Sequence, residues 1–95
     1  METTKRTLKV TQEWVNRIEA LQYEVHARRE LLTHMIDSGA DTKSDNFKHY
    51  HEEYLAFYKK FEDAKEEFAR EYIYPNTGNM RVNWNLDFKT QEVTF

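Results

Sequence analysis

Four histidines (His26, His34, His49 and His51) and a large complement of carboxylates are the side chains in this sequence best able to do chemistry. Imidazoles and carboxylates on facing helices are how metal sites are built inside helical bundles. If the two long helical stretches described below fold back on one another about Asp41, Glu30 and His34 come near Glu53 and His49, with Asp45 one turn away. Dinuclear bundle sites, however, use an inward-directed Glu-x-x-His spacing. Here the spacing is Glu30-x-x-x-His34, neither of those residues lies on the apolar seam, and His49 points away from the Phe47/Tyr50 stripe. A solvated polar face is the preferred reading. A metal site built from His34, His49, Glu30 and Glu53 is the alternative. His26 and His51 read as surface groups.

Nucleophilic chemistry has little to work with. The chain has no cysteine, and Ser38 and Ser44 are accounted for as loop and helix-cap residues. With only Gly39 and Gly78, there is no glycine-rich loop to cradle a phosphate. No catalytic residue, cofactor site or enzymatic activity is expected.

The elements that carry these residues follow from hydrophobic spacing. Phe47, Tyr50, Tyr54, Phe57, Phe61, Ala64 and Phe68 recur at alternating intervals of three and four, the 3.5-residue repeat of a helix packed along a partner. Trp14, Ile18, Leu21, Val25, Leu32 and Met35 keep the same repeat in the preceding stretch, with Arg28 at the one remaining seam position. Thr11 is the expected N-cap of the first helix (11–37), and Gly39 its left-handed terminator. Ser44 or Asp45 caps the second (45–73), ahead of Pro75. The short polar connection makes the helices antiparallel neighbours. The estimated register places Leu32 against Tyr50, Val25 against Phe57, Leu21 against Phe61 and Trp14 against Phe68.

After the turn cluster Asn76-Thr77-Gly78-Asn79, the residues Met80, Val82, Trp84, Leu86 and Phe88 alternate with polar ones, as in a half-buried strand. A loop over Lys89–Glu92 would pair Phe88 with Val93 and Leu86 with Phe95. Leu8 and Val10 give a short N-terminal strand signal (1–10, with residues 1–4 read as a disordered start), placed to join this hairpin (80–95) in a small antiparallel sheet. The expected fold is α+β, mainly α: one domain over 1–95, with a coiled-coil-like helical hairpin and a small sheet at its open end.

Composition narrows the function classes. With 95 residues the chain is near the lower limit for burying a core, so a second copy is a plausible means of covering surface. A net charge of −3 and a pI near 5.8 argue against nucleic acid. Lys5, Arg6 and Lys9 form the only basic cluster, too small for such a role. No stretch approaches a membrane span and the start lacks a signal-peptide run, so residence in the cytoplasm is expected.

Two features remain. Arg28 places a charge on an apolar seam, where an unpaired ion costs several kcal/mol, of the order of 3–5. Its stem can pack while its head reaches Glu24 or stacks on Tyr54, or it can set register or meet a partner's carboxylate. Tyr23, Leu31, Leu55 and Tyr58 lie off the seam, as do Val15, Ile36, Tyr72 and Tyr74. The sheet cannot reach Leu31, Leu55 and Tyr58. A tyrosine-rich cluster of that kind reads as a partner-binding surface, with Tyr23 included.

The start Lys9-Val10-Thr11-Gln12-Glu13 and the ending Trp84-Asn85-Leu86-Asp87-Phe88-Lys89-Thr90-Gln91-Glu92-Val93 resemble those of small bacterial helper proteins that accompany radical-SAM maturases of Cys-x-x-x repeat peptides. The resemblance covers about a quarter of the chain and leaves out the aromatic central helix. It implies a non-catalytic accessory role in peptide modification. The resulting expectation is a small protein-binding or accessory protein, self-associating as a homodimer, with another protein or a peptide as further partner. The metal-binding helical protein is one alternative, and a phage or mobile-element inhibitor of a host protein is another.

Overall fold

The computed structural model describes residues 6–95. Lys5 and the disordered start expected over residues 1–4 lie outside them. In chain order the elements are β1 (Thr7–Lys9), α1 (Gln12–Asp37), α2 (Asp45–Phe68), a π-helical segment (Ala69–Ile73), α3 (Tyr74–Thr77), β2 (Asn85–Asp87) and β3 (Glu92–Thr94). The fold is mainly α, with two long packed helices and a three-stranded antiparallel sheet.

Local chemistry sets the helix ends. The Trp14 amide donates to Thr11 Oγ1 at 3.3 Å, and the Phe47 amide to Ser44 Oγ at 3.2 Å. Each hydroxyl thereby satisfies an orphan donor of the first turn. Gly39 closes α1 with φ of 83°, a left-handed conformation that a side chain would strain.

The helix expected to stop before Pro75 does not. After Phe68 the chain widens into a π turn, in which the Tyr74 amide donates to the Ala69 carbonyl, and helix then resumes through Pro75 to Thr77. Proline is tolerated there because it occupies the first turn of the resumed helix, where its missing N–H leaves no gap. The wider turn lets Phe68, Ala69 and Ile73 all face inward, and all three are buried. Gly78, at φ of 72°, ends the run.

Contacts divide the chain into two compact units: residues up to Glu19 together with Ala64–Phe95, and Ala20–Asp63. The first unit carries the sheet, in the order β1-β3-β2. Val93 pairs with Leu8 on one side and Leu86 on the other, and is fully buried. The N-terminal strand thus joins the C-terminal hairpin as expected, but two details differ. The strand expected from Met80 has ladder bonds only over Asn85–Asp87, although half-buried and exposed residues do alternate from Met80 to Phe88. The loop is Phe88–Gln91, so Leu86 meets Val93 where Phe95 was expected. Asp87 Oδ1 accepts from the amides of Lys89 at 2.8 Å and Thr90 at 3.2 Å, opening the turn one residue early. Gln91 closes it with φ of 56°. Because side chains alternate with a period of two, this shift of two keeps every residue on its intended face.

Val10, Val15, Ile18, Ala64, Phe68, Ala69, Ile73 and Val93 form the core of this unit. Phe68 organises it: Trp14 meets its ring edge-on at 5.5 Å, and the Tyr72 and Trp84 rings lie at 4.9 and 4.7 Å. The Trp14 indole N–H donates to Glu71, while the Arg17 guanidinium lies 5.0 Å from the Trp14 ring centroid and 2.8 Å from Glu67.

The second unit, Ala20–Asp63, is the tip of the helical hairpin. Here the seam is less buried than its spacing suggests. Val25, Leu32 and Phe47 are buried, whereas Phe57 and Phe61, expected at the centre of the core, are half-buried. Two helices alone leave the flanks of their seam open, and bulky aromatic side chains project past it.

Candidate interaction surface

Arg28 and Arg29 define the two flanks of the hairpin in Ala20–Asp63. The Arg28 guanidinium lies over the Phe57 ring at 3.9 Å and donates to the Glu24 carboxylate. Of the two anchors anticipated for it, Glu24 is therefore used; the ring is that of Phe57 and not Tyr54. Tyr54 is engaged by the next residue. Arg29 Nη2 and Nε donate to its hydroxyl at 3.1 and 3.3 Å. That hydrogen bond is the main reason the exposed Arg29 guanidinium holds its proton even more firmly than usual.

An α-helix turns about 100° per residue, so residues one heptad apart share a face. Ile36, a heptad beyond Arg29, lies on the Arg29 flank. Tyr58 lies there too, because its ring is 6.0 Å from that of Tyr54, and Leu55 sits one turn before Tyr58 on the same side. Ile36 is 54% exposed, Leu55 50% and Tyr58 40%. Leu31, also exposed, is a heptad beyond Glu24 and so belongs to the opposite flank with Arg28. Tyr23, at 71% exposure, points outward from α1. The four residues expected to form one partner-binding cluster thus fall on three faces. Only Leu55 and Tyr58 stand together; Ile36 lies on the same flank, two turns of α1 beyond Arg29. The sign that could have revealed this is the heptad position of each residue, since being off the seam leaves the side of departure open.

Of the candidate metal ligands, Glu30 is paired with His26 and Glu53 with His49, each along its own helix. His26 Nε2 is 3.0 Å from Glu30, and His49 Nε2 is 3.9 Å from Glu53. His34 offers its backbone carbonyl to the Ser38 hydroxyl at 2.7 Å. Among the described residues no three His, Asp or Glu side chains gather in a way that could hold a metal ion. A hollow lined by Thr11, Glu13, Trp14, Arg17 and Glu71 opens on the other unit. Its aromatic face is occupied by Arg17, and its indole N–H by Glu71.

Among the described residues no helix is long and apolar enough to cross a membrane. Comparison of the chain with protein-family models, with curated proteins and with solved structures found no match.

Proposed function

We propose that this chain is a small non-enzymatic interaction protein that works through the Ile36–Leu55–Tyr58 flank of its helical hairpin, and that a second copy covers that flank. One observation carries the reading. In Ala20–Asp63 the buried large apolar side chains are Val25, Leu32 and Phe47, while Tyr23, Leu31, Ile36, Leu55 and Tyr58 are exposed. A unit that exposes more large apolar groups than it buries is short of a covering layer. Pairing two hairpins into a four-helix bundle is the common way to supply one. In an accessory role of the kind implied by the two chain ends, the further partner would be a peptide-modifying enzyme or its peptide.

Light scattering coupled to gel filtration, over a range of concentrations, tests the reading. The wild-type chain should run as a dimer, and the L55E/Y58E variant as a monomer with its helical circular dichroism retained. A wild-type chain that stays monomeric at every concentration defeats it.

A further inference from the structure

We infer that two copies of this chain pair α2 against α2 in antiparallel orientation about a two-fold axis at Leu55, with Lys48 of each meeting Glu62 of the other. The inference rests on the reading that a second copy covers the flank carrying Leu55 and Tyr58, and it specifies how that copy is seated.

Spacing along α2 carries it. Lys48, Leu55 and Glu62 follow at intervals of one heptad, so they form one stripe on the flank, and all three are exposed. Glu52 and Lys59 border that stripe, one turn before Leu55 and one turn after, and are exposed as well. In chain order the stripe therefore reads Lys48, Glu52, Leu55, Lys59, Glu62. Reversing the direction of the helix exchanges every charge for its opposite and leaves leucine at the centre. A helix with that property is complementary to an antiparallel copy of itself. Across the two-fold axis Lys48 faces Glu62, Glu52 faces Lys59, and Leu55 faces Leu55. Tyr58, nearer the hairpin seam, falls beside His51 of the other copy. Parallel pairing would instead set each charge against its like.

The other exposed apolar groups of α1 lack this symmetry. About Leu31 the matching positions hold Glu24 with Ser38 and Arg28 with Met35; about Tyr23 they hold Asn16 with Glu30 and Ala20 with Ala27. The charges of the α2 stripe can serve both their own chain and the other copy. Lys59 lies 3.0 Å from Asp63, and Glu62 has an interaction within its chain. An ammonium has three donors and a carboxylate about four acceptor sites, so each can take a further partner. Arg29 stays on the Tyr54 hydroxyl, on α1 and outside the stripe. Beyond the stripe Asp45 and Glu66 are both acidic, and Glu66 is bonded to Arg70 at 2.8 Å, which confines the matched run to residues 48–62.

Because the full-length chain has no cysteine, introduced thiols report the orientation. With a short thiol-reactive crosslinker, Leu55→Cys should join to itself across the axis. Lys48→Cys mixed with Glu62→Cys should also crosslink. Neither should do so alone, since equal positions at the ends of the stripe lie roughly 20 Å apart in antiparallel helices. In sedimentation equilibrium K48E and E62K should each weaken pairing about tenfold, because two facing ion pairs become repulsive. The K48E/E62K double variant should recover the wild-type association constant, with helicity checked by circular dichroism. Crosslinking of Lys48→Cys to itself, no crosslink between the Lys48 and Glu62 thiols, or a double variant that pairs no better than the singles overturns this inference and leaves the dimer standing. A wild-type chain monomeric at every concentration overturns both readings.

Discussion

The Arg28 guanidinium lies 3.9 Å from the centroid of the Phe57 ring, on a seam position where every other member of α1 is apolar. Its side chain is only 25% exposed, and Nε is buried without a hydrogen-bond partner. Stacking on the ring and the bond to Glu24 offset the burial of the charge only in part.

Replacing Arg28 with methionine keeps the length of the stem and removes the unsatisfied donor. Denaturant melts should show that variant within about 1 kcal/mol of wild type, or more stable. Glu24→Ala should do the greater harm, on the order of 1–3 kcal/mol, because it strands the charge half-buried. The opposite ranking would show that Arg28 is needed for the fold itself.

The second prediction concerns where the core lies. Phe68 is completely buried among Trp14, Tyr72 and Trp84, so Phe68→Ala should cost about 3–5 kcal/mol. Phe57 is half-buried, and Phe57→Ala should cost clearly less. Equal losses in urea melts would mean that the hairpin tip is as well packed as the sheet end.

That contrast shows what spacing reveals and what it leaves open. The 3.5-residue repeat identified both helices and their antiparallel contact, because periodicity reports which residues share a face. It is silent on how completely a face is covered, which depends on what else packs there. Phe68 and Phe57 occupy equivalent places in the pattern, and only Phe68 has the sheet beside it. The π segment was hidden for a related reason. Ala69 and Ile73 break the repeat after Phe68, and a broken repeat reads equally well as the end of a helix. In the hairpin, alternation placed Leu86 and Val93 on one face, but the register depended on the Asp87 carboxylate capping the turn. Leu31 and Leu55 were both legible as off-seam residues. The flank each occupies needed the contacts of Arg29 with Tyr54 and of Arg28 with Glu24 to be assigned.

Gly78 gives a third prediction. Its φ is 72°, and a Cβ added there would meet nothing within 4 Å. Gly78→Ala should therefore destabilise by about 1–2 kcal/mol through backbone strain alone. Gly78→Asn should cost less, because asparagine enters the left-handed region more readily. Similar losses in the two variants would point to a steric cause.

The histidine–glutamate pairs give a fourth. His26 with Glu30 and His49 with Glu53 form separate pairs along their helices, so a chelator should leave the melting temperature of the purified protein unchanged. A stoichiometric metal, lost from a His34→Ala or His49→Ala variant, would instead make the helical hairpin a metal-binding element.

The flank assignment yields the most discriminating test of association. Leu31 and Leu55 are both exposed leucines of the hairpin, on opposite sides of its seam. If apolar exposure in general drives pairing, Leu31→Glu and Leu55→Glu should weaken it alike. If the Arg29 flank is the contact, Leu55→Glu places a charge in the interface and should shift the dimer to monomer. At least about 2 kcal/mol of pairing free energy should go, because a buried carboxylate without a partner is costly. Leu31→Glu, on the Glu24 flank, should leave the association constant within about threefold of wild type, since surface changes away from a contact rarely exceed about 0.5 kcal/mol. Sedimentation equilibrium on the two single variants measures both constants. Loss of pairing in the Leu31 variant, with the Leu55 variant still dimeric, would move the contact to the opposite flank, beside Arg28.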